Sequence, residues 1–205
     1  MAGGAMLAIV PVGLSLGYLF ARSRLWGWLE AIVMLPLVLP PVAVGFLLLV
    51  LLGRSGPVGR AIEAATGRSL VFSWIGAAIA AAIVALPLMV KTTKAALQSV
   101  DPVYLQAAAI LGNSPLRVFW RVWLPLAWRG ILAGVALSFG RALGEFGATV
   151  MVAGNIPQVT QTLPMAIYEA VQVGDDDRAV VLVALLGALS IATVWLSNCL
   201  DGRSR

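Results

Sequence analysis

Asp101 to Pro125 reads DPVYLQAAAILGNSPLRVFWRVWLP, a polar, basic, turn-punctuated stretch set between long apolar runs. A chain that only had to cross a bilayer would have no use for it. Asp101 is a good N-cap and Pro102 suits a first helical turn, so a helix is expected to about Leu111, where Gly112 can take the left-handed conformation that ends it. Ser114 and Pro115 repeat the cap-plus-proline signal after Asn113. The second helix carries Arg117 and Arg121 four residues apart on one face, with Phe119, Trp120 and Trp123 around the rest, and Pro125 is expected to stop it. The stretch therefore reads as a stiff elbow with an aromatic, basic surface.

The flanking sequence places this elbow on a membrane protein. Hydrophobic residues make up 60% of the chain and charged residues 11%, and the mean hydropathy is +0.96. That composition does not belong to a soluble globule. Five stretches can cross the roughly 30 Å hydrocarbon layer at about 1.5 Å per residue: 5–21, 29–52, 70–90, 131–153 and 179–200. The expected fold is all-α, a single domain over 1–205, with the elbow inside the polar loop 91–129. The first stretch has neither the positive leader nor the cleavage site of a signal peptide, so it reads as a span.

Orientation follows from the basic residues. With five spans and a cytoplasmic elbow, Arg22, Arg24, Lys91, Lys94, Arg117, Arg121, Arg129, Arg203 and Arg205 lie inside, and Arg54, Arg60, Arg68 and Arg178 outside. This satisfies the positive-inside rule, with the N-terminus outside and the C-terminus in the cytoplasm. The net charge of +5 is then explained by anionic lipid and a partner protein, with no nucleic acid.

Three of the spans carry residues that an anchor would avoid. Leu35 to Gly45, LPLVLPPVAVG, holds three prolines, and Pro87 interrupts the third span. Prolines free backbone carbonyls that lipid cannot satisfy. Kinked helices flanking a water-lined path and plain packing kinks are both open. The fourth span holds Arg141 and Glu145, four residues apart and expected on one helix face. A lone charge at that depth costs several kcal/mol, so they must be paired or wet. They form either a structural ion pair or a pair lining a pathway that repacks as the protein switches state. Gly140, Gly144 and Gly147 on the same stretch allow close helix approach, at a subunit contact or a gate. A lone subunit would leave the charged face to lipid, so a second copy is expected to cover it.

The elbow's intervals resemble the EAA loop of ABC-importer permeases: Gln106, Ala107, Ala108, three residues, Gly112, nine residues, then Val122, Leu124 and Pro125. Gln106 stands where that family has Glu, which removes a charge. The resemblance implies a coupling helix, formed here by Asp101, Gln106, Ala107, Ala108, Gly112, Asn113, Ser114, Pro115, Arg117, Arg121 and Pro125, that docks in a cytoplasmic ATPase. A further stretch, RALGEFGATVMVAGNIP from Arg141 to Pro157 with Thr160 to Pro164, resembles molybdate-importer permeases of the type I ABC class, with sulfate and tungstate permeases as neighbours. It implies a plasma-membrane permease of a bacterium or archaeon, working as a homodimer with an ATPase and an external substrate-binding protein. Arg141, Gly144, Glu145 and Gly147 would then form the gate. Asn155, Asp175, Asp176 and Asp177, around a short external helix expected at 163–173, would touch the binding protein, although an acidic cluster of this kind is more often a solvated turn.

Other functions lack their residues. There is no His and only one Cys, Cys199, so a protein-only zinc, haem or iron-sulfur site has too few ligands, a nucleophile-histidine pair is excluded, and no cofactor is expected. No G-x-x-x-x-G-K-[ST] loop occurs, so ATP would be bound by a separate subunit. A secondary transporter should show matching broken halves, and no internal repeat is visible.

Overall fold

The computed structural model describes residues 1–201, entirely as helices and connecting segments with no strand among them. Arg203 and Arg205, counted above on the cytoplasmic side, lie outside the described residues. In chain order the helices are α1 (Ala2–Arg22), α2 (Gly27–Val38), α3 (Pro41–Leu52), α4 (Pro57–Thr66), α5 (Trp74–Gln98) and α6 (Pro102–Ile110). They continue with α7 (Pro115–Val118), a π-helical turn over Phe119–Trp123, α8 (Leu124–Leu143), α9 (Gly147–Ala153), α10 (Leu163–Val173) and α11 (Asp176–Asp201). Among the described residues, four helices or continuous helical runs are long and apolar enough to cross a membrane: α1, α5, the run Pro115–Leu143 and α11.

α5 is the axis of the bundle. Its alanines are small enough for neighbours to lie close on several sides, and Ala77, Ala80, Ala81, Ala85, Met89 and Val90 are buried. α1 approaches so tightly that a Cβ on Gly17 would stand 2.6 Å from the Cβ of Thr93. α8 packs on another flank, where a Cβ on Gly130 would stand 2.8 Å from that of Ala96. Small residues exchanging side-chain bulk for backbone proximity are the usual glue of helices in lipid, where dispersion contacts replace the hydrophobic drive. α11 lies outermost, held to α8 by Ser197 Oγ donating to the Ala133 carbonyl at 3.3 Å.

Two of the expected spans are not single helices. The stretch 29–52 divides at Leu39 and Pro40 into α2 and α3, bent by 114°. Pro40 and Pro41 cannot supply the amide hydrogens a continuing helix needs, so α2 ends at Val38 and α3 restarts with Pro41 at its first position. Each half has twelve residues, about 18 Å, too short to cross alone. The stretch 131–153 is likewise corrected: α8 ends at Leu143, Gly144 to Phe146 are non-helical, and α9 begins at Gly147.

The expected helix stop at Pro125 is also overturned. The chain stays helical from Pro115 to Leu143 because the π turn widens the backbone just before Pro125, with the Leu124 N–H reaching the Phe119 carbonyl. An i→i−5 pattern removes the demand for the amide hydrogen proline lacks and relieves its ring from the preceding carbonyl.

Candidate functional site

The elbow is built by local capping. Asp101 Oδ1 accepts from the Val103 N–H at 2.9 Å and starts α6. At its far end Gly112 has φ +76°, its N–H reaches the Ala109 carbonyl at 2.9 Å, and the Asn113 N–H reaches the Ala108 carbonyl at 3.3 Å. These two bonds make a Schellman motif. The Asn113 side-chain amide adds a second donor to Ala108 O at 3.0 Å, so the corner is fixed by its own sequence. Ser114 occupies the N-cap position of α7, but its hydroxyl makes no capping bond.

Ala108 is buried, while Gln106, Ala107, Gly112, Pro115, Arg117, Arg121 and Pro125 are exposed. Beside them stand Val103, Tyr104, Ile110, Leu111, Leu116 and Trp120, with Ile110 and Leu111 exposed to 84% and 80%. An exposed apolar patch beside two arginines has the chemistry of a protein or membrane contact. The expected aromatic surface is smaller than the sequence suggested. Only Trp120 points out, whereas Phe119 and Trp123 turn inward onto Tyr18, with centroids at 4.5 and 5.6 Å. Hydropathy alone did not single out Ile110 and Leu111, because a helix end is indistinguishable from a core face until the neighbours are known.

The second site lies where the broken spans meet. A Cβ on Gly147 would stand 3.1 Å from the Cβ of Pro41 and 3.1 Å from Val42, and one on Gly45 would stand 2.7 Å from the Ala148 Cα. The start of α9 therefore rests on the start of α3, and the two breaks abut. Arg141 Nη1 meets Glu145 Oε2 at 2.6 Å, so the expected pairing is present, across a helix end and not along one helix face. Glu145 Oε1 accepts from the Ala148 N–H at 2.8 Å, and Thr149 Oγ1 donates to the Glu145 carbonyl at 3.2 Å.

This arrangement has a simple electrostatic logic. Arg141 occupies the last turn of α8, where the helix dipole favours a cation, and Glu145 faces the first amides of α9, where it favours an anion. The Glu145 side chain is 1% exposed and that of Arg141 31%. The chain thus buries its own carboxylate, and the expectation that a lone subunit leaves both charges uncovered is corrected to the guanidinium alone. Gly140 meets Thr193 of α11 and Gly147 meets α3, so both serve packing within the chain, while Gly144 has only the Gly140 carbonyl, at 3.7 Å, near its Cβ position.

Beyond α9 the expected helix at 163–173 is observed with those limits, with Met165, Ala166 and Ala170 buried. Asn155 Nδ2 donates to Glu169 Oε2 at 3.1 Å, and Gln161 donates to the same oxygen, tying the loop to α10. Asp175 Oδ1 accepts from the Arg178 N–H at 3.2 Å, and Asp176 and Asp177 fill the first turn of α11. All three aspartates are exposed, and helix capping accounts for their placement. One ion pair had no sequence signal. Lys94 Nζ reaches both carboxylate oxygens of Glu30 at 2.7 Å, fastening α2 to the last turns of α5. Residues 64 positions apart could only be matched in space.

Spans that break inside a bundle, buried in protein or lining a cavity, together with an elbow that leaves its apolar face uncovered, fit one class of protein: a transport permease. The chain belongs to the family of binding-protein-dependent transport system inner membrane components, whose model matches residues 9–205. It is 40% identical to the molybdenum transport system permease protein ModB of Haemophilus influenzae, over 99% of this chain and 90% of that one. It is 42% identical to ModB of Escherichia coli, covering 98% and 89%, and 34% identical to the sulfate transport system permease protein CysW of Synechococcus elongatus, covering 94% and 68%. Its fold is the type I ABC-importer permease fold: it matches an inward facing structure of the MetNI methionine ABC transporter with a TM-score of 0.70, at 16% identity, over 100% of this chain and 92% of that one.

Proposed function

We propose that this chain is the membrane-spanning subunit of an ATP-driven importer of molybdate, and that it catalyses no reaction itself. The similarity to ModB relatives over nearly the whole length carries the choice of anion. The elbow carries the mode of drive: a corner fixed by its own hydrogen bonds, with an exposed apolar and basic face, suits a cleft on a separate ATPase. The chain has no phosphate-binding loop of its own. Two copies form the pathway, because the exposed part of Arg141 would cost several kcal/mol against lipid and a second copy supplies cover.

In the working cycle, an external binding protein delivers the anion to the side bearing α10. The ATPases close on ATP and push on the elbows, and the breaks at Pro40 and Gly144 let the half-length helices reorient while α5 stays whole. Arg141, neutralised by Glu145 in the resting arrangement, can then offer its charge to a passing oxyanion without leaving a bare cation in lipid. The basic-residue count puts the elbow and the C-terminus in the cytoplasm and the N-terminus outside. Reconstituted into vesicles with its ATPase and binding protein, the chain should take up molybdate only with ATP. The similarity to CysW favours sulfate as the second reading. Molybdate uptake that excess sulfate abolishes would turn the assignment to sulfate.

A further inference from the structure

The π turn that lets the helix run through Pro125 also aims two aromatic side chains. A π turn adds one residue to a turn and rotates the residues beyond it about the helix axis, and here it leaves Phe119 and Trp123 both facing away from the elbow's exposed surface. Phe119 lies tilted on Tyr18 of α1 at 4.5 Å, and Trp123 meets the same ring edge-on at 5.6 Å. Trp123 Nε1–H donates to the carbonyl of Leu97 at 2.7 Å. Leu97 is buried in the last turn of α5. The chain leaves α5 just beyond this point, makes the elbow and returns through α7, so the indole bond closes the elbow's base. Arg22 Nη1 donates to the Tyr18 hydroxyl at 3.2 Å, holding the ring from the α1 side.

An open base would let the elbow hinge against the bundle and absorb whatever was pressed on it. A base closed by one directed hydrogen bond and three interlocked rings moves with α1, α5 and α8. We infer that Trp123, seated on Tyr18 and Phe119 and bonded to the Leu97 carbonyl, is the joint that turns movement of the elbow into movement of the spanning helices. Trp123 is a positioning residue that touches neither anion nor nucleotide. This rests on the reading that the elbow receives force from an ATPase, and it adds where that force enters the bundle.

The readout is molybdate transported per ATP hydrolysed by the complete transporter in vesicles. Trp123→Phe removes the N–H and keeps a ring against Tyr18. Tyr18→Leu removes the ring seat from α1, far from the elbow's exposed face, and leaves the indole bond in place. Both variants should assemble with the ATPase and hydrolyse ATP, while transport per ATP falls about five-fold, the lower end of typical coupling between sites. A cluster that only stabilised the fold would lower transport and hydrolysis together and leave their ratio unchanged, and that result in both variants overturns the inference. If Trp123→Phe does not assemble, Tyr18→Leu carries the same decision alone. A wild-type complex without ATP-dependent uptake would instead overturn the importer reading on which the joint depends.

Discussion

Replacing Glu145 with leucine should cost this protein about 3 kcal/mol of stability, because the carboxylate is buried and both of its oxygens are engaged. One oxygen binds the Arg141 guanidinium at 2.6 Å and the other accepts the Ala148 N–H at 2.8 Å. Breaking a buried pair by removing one partner costs about 3–5 kcal/mol. Arg141 is 31% exposed, and in the proposed pair of copies that exposed part faces the pathway, where water can reach it, which places the loss at the lower end. For a chain of 205 residues, each kcal/mol moves the melting temperature by roughly 2–4 °C, so the shift should be about 6–12 °C. Glu145→Gln keeps an acceptor for Ala148 and should fall between the leucine variant and the wild type. Arg141→Leu leaves a bare buried carboxylate and should cost at least as much as Glu145→Leu. The double variant Arg141→Leu/Glu145→Leu should melt well above the temperature expected from adding the two single losses, because no charge is left unpaired. Thermal unfolding in detergent, followed by the fluorescence of the seven tryptophans, measures all four. Strict additivity of the two leucine substitutions would refute the pairing as the reason these residues belong together.

Two further substitutions probe the breaks and the elbow separately. Gly45→Val would place its Cβ against the Ala148 Cα, 2.7 Å away, where no side chain can yield. Overpacking of this kind should cost about 1–3 kcal/mol, visible as a lowered melting temperature, and an unchanged one would mean that α3 and α9 do not pack as described. Gly112→Asp meets no neighbour within 4 Å but must hold φ +76°, a strain of about 1–2 kcal/mol. It should leave the protein inserted and folded yet reduce co-purification with its ATPase, and normal assembly and transport would remove the corner from the docking surface.

The parts of this molecule that are governed by local chemistry could be read directly from the residues. Asp101, Gly112 and the helix at 163–173 are settled by caps and turn conformations that involve neighbours within a few positions, so the start of the elbow, its corner and α10 agree with expectation. The breaks were harder. Hydropathy sees Ile131 to Ala153 as one apolar run, and nothing in Leu-Gly-Glu-Phe-Gly states that the helix stops there. That decision comes from α9 packing against the start of α3.

Pro125 failed as a stop signal for the same kind of reason. A π turn is held by Phe119 and Trp123 finding Tyr18 and the Leu97 carbonyl, contacts that cross more than twenty residues. The glycine pattern at Gly140 and Gly147 correctly signalled close approach, but only the folded arrangement shows that the approaching helices are the chain's own. Glu30 and Lys94 carried no local signal at all.

ATP bound on a separate subunit is held to drive an oxyanion through this chain by way of the elbow. The most direct test measures radiolabelled molybdate entering vesicles that contain the chain, its ATPase and its binding protein. Uptake that requires ATP and all three components, with no ATP hydrolysis by the chain alone, is the result expected. Molybdate accumulation that persists when the ATPase is omitted would contradict it.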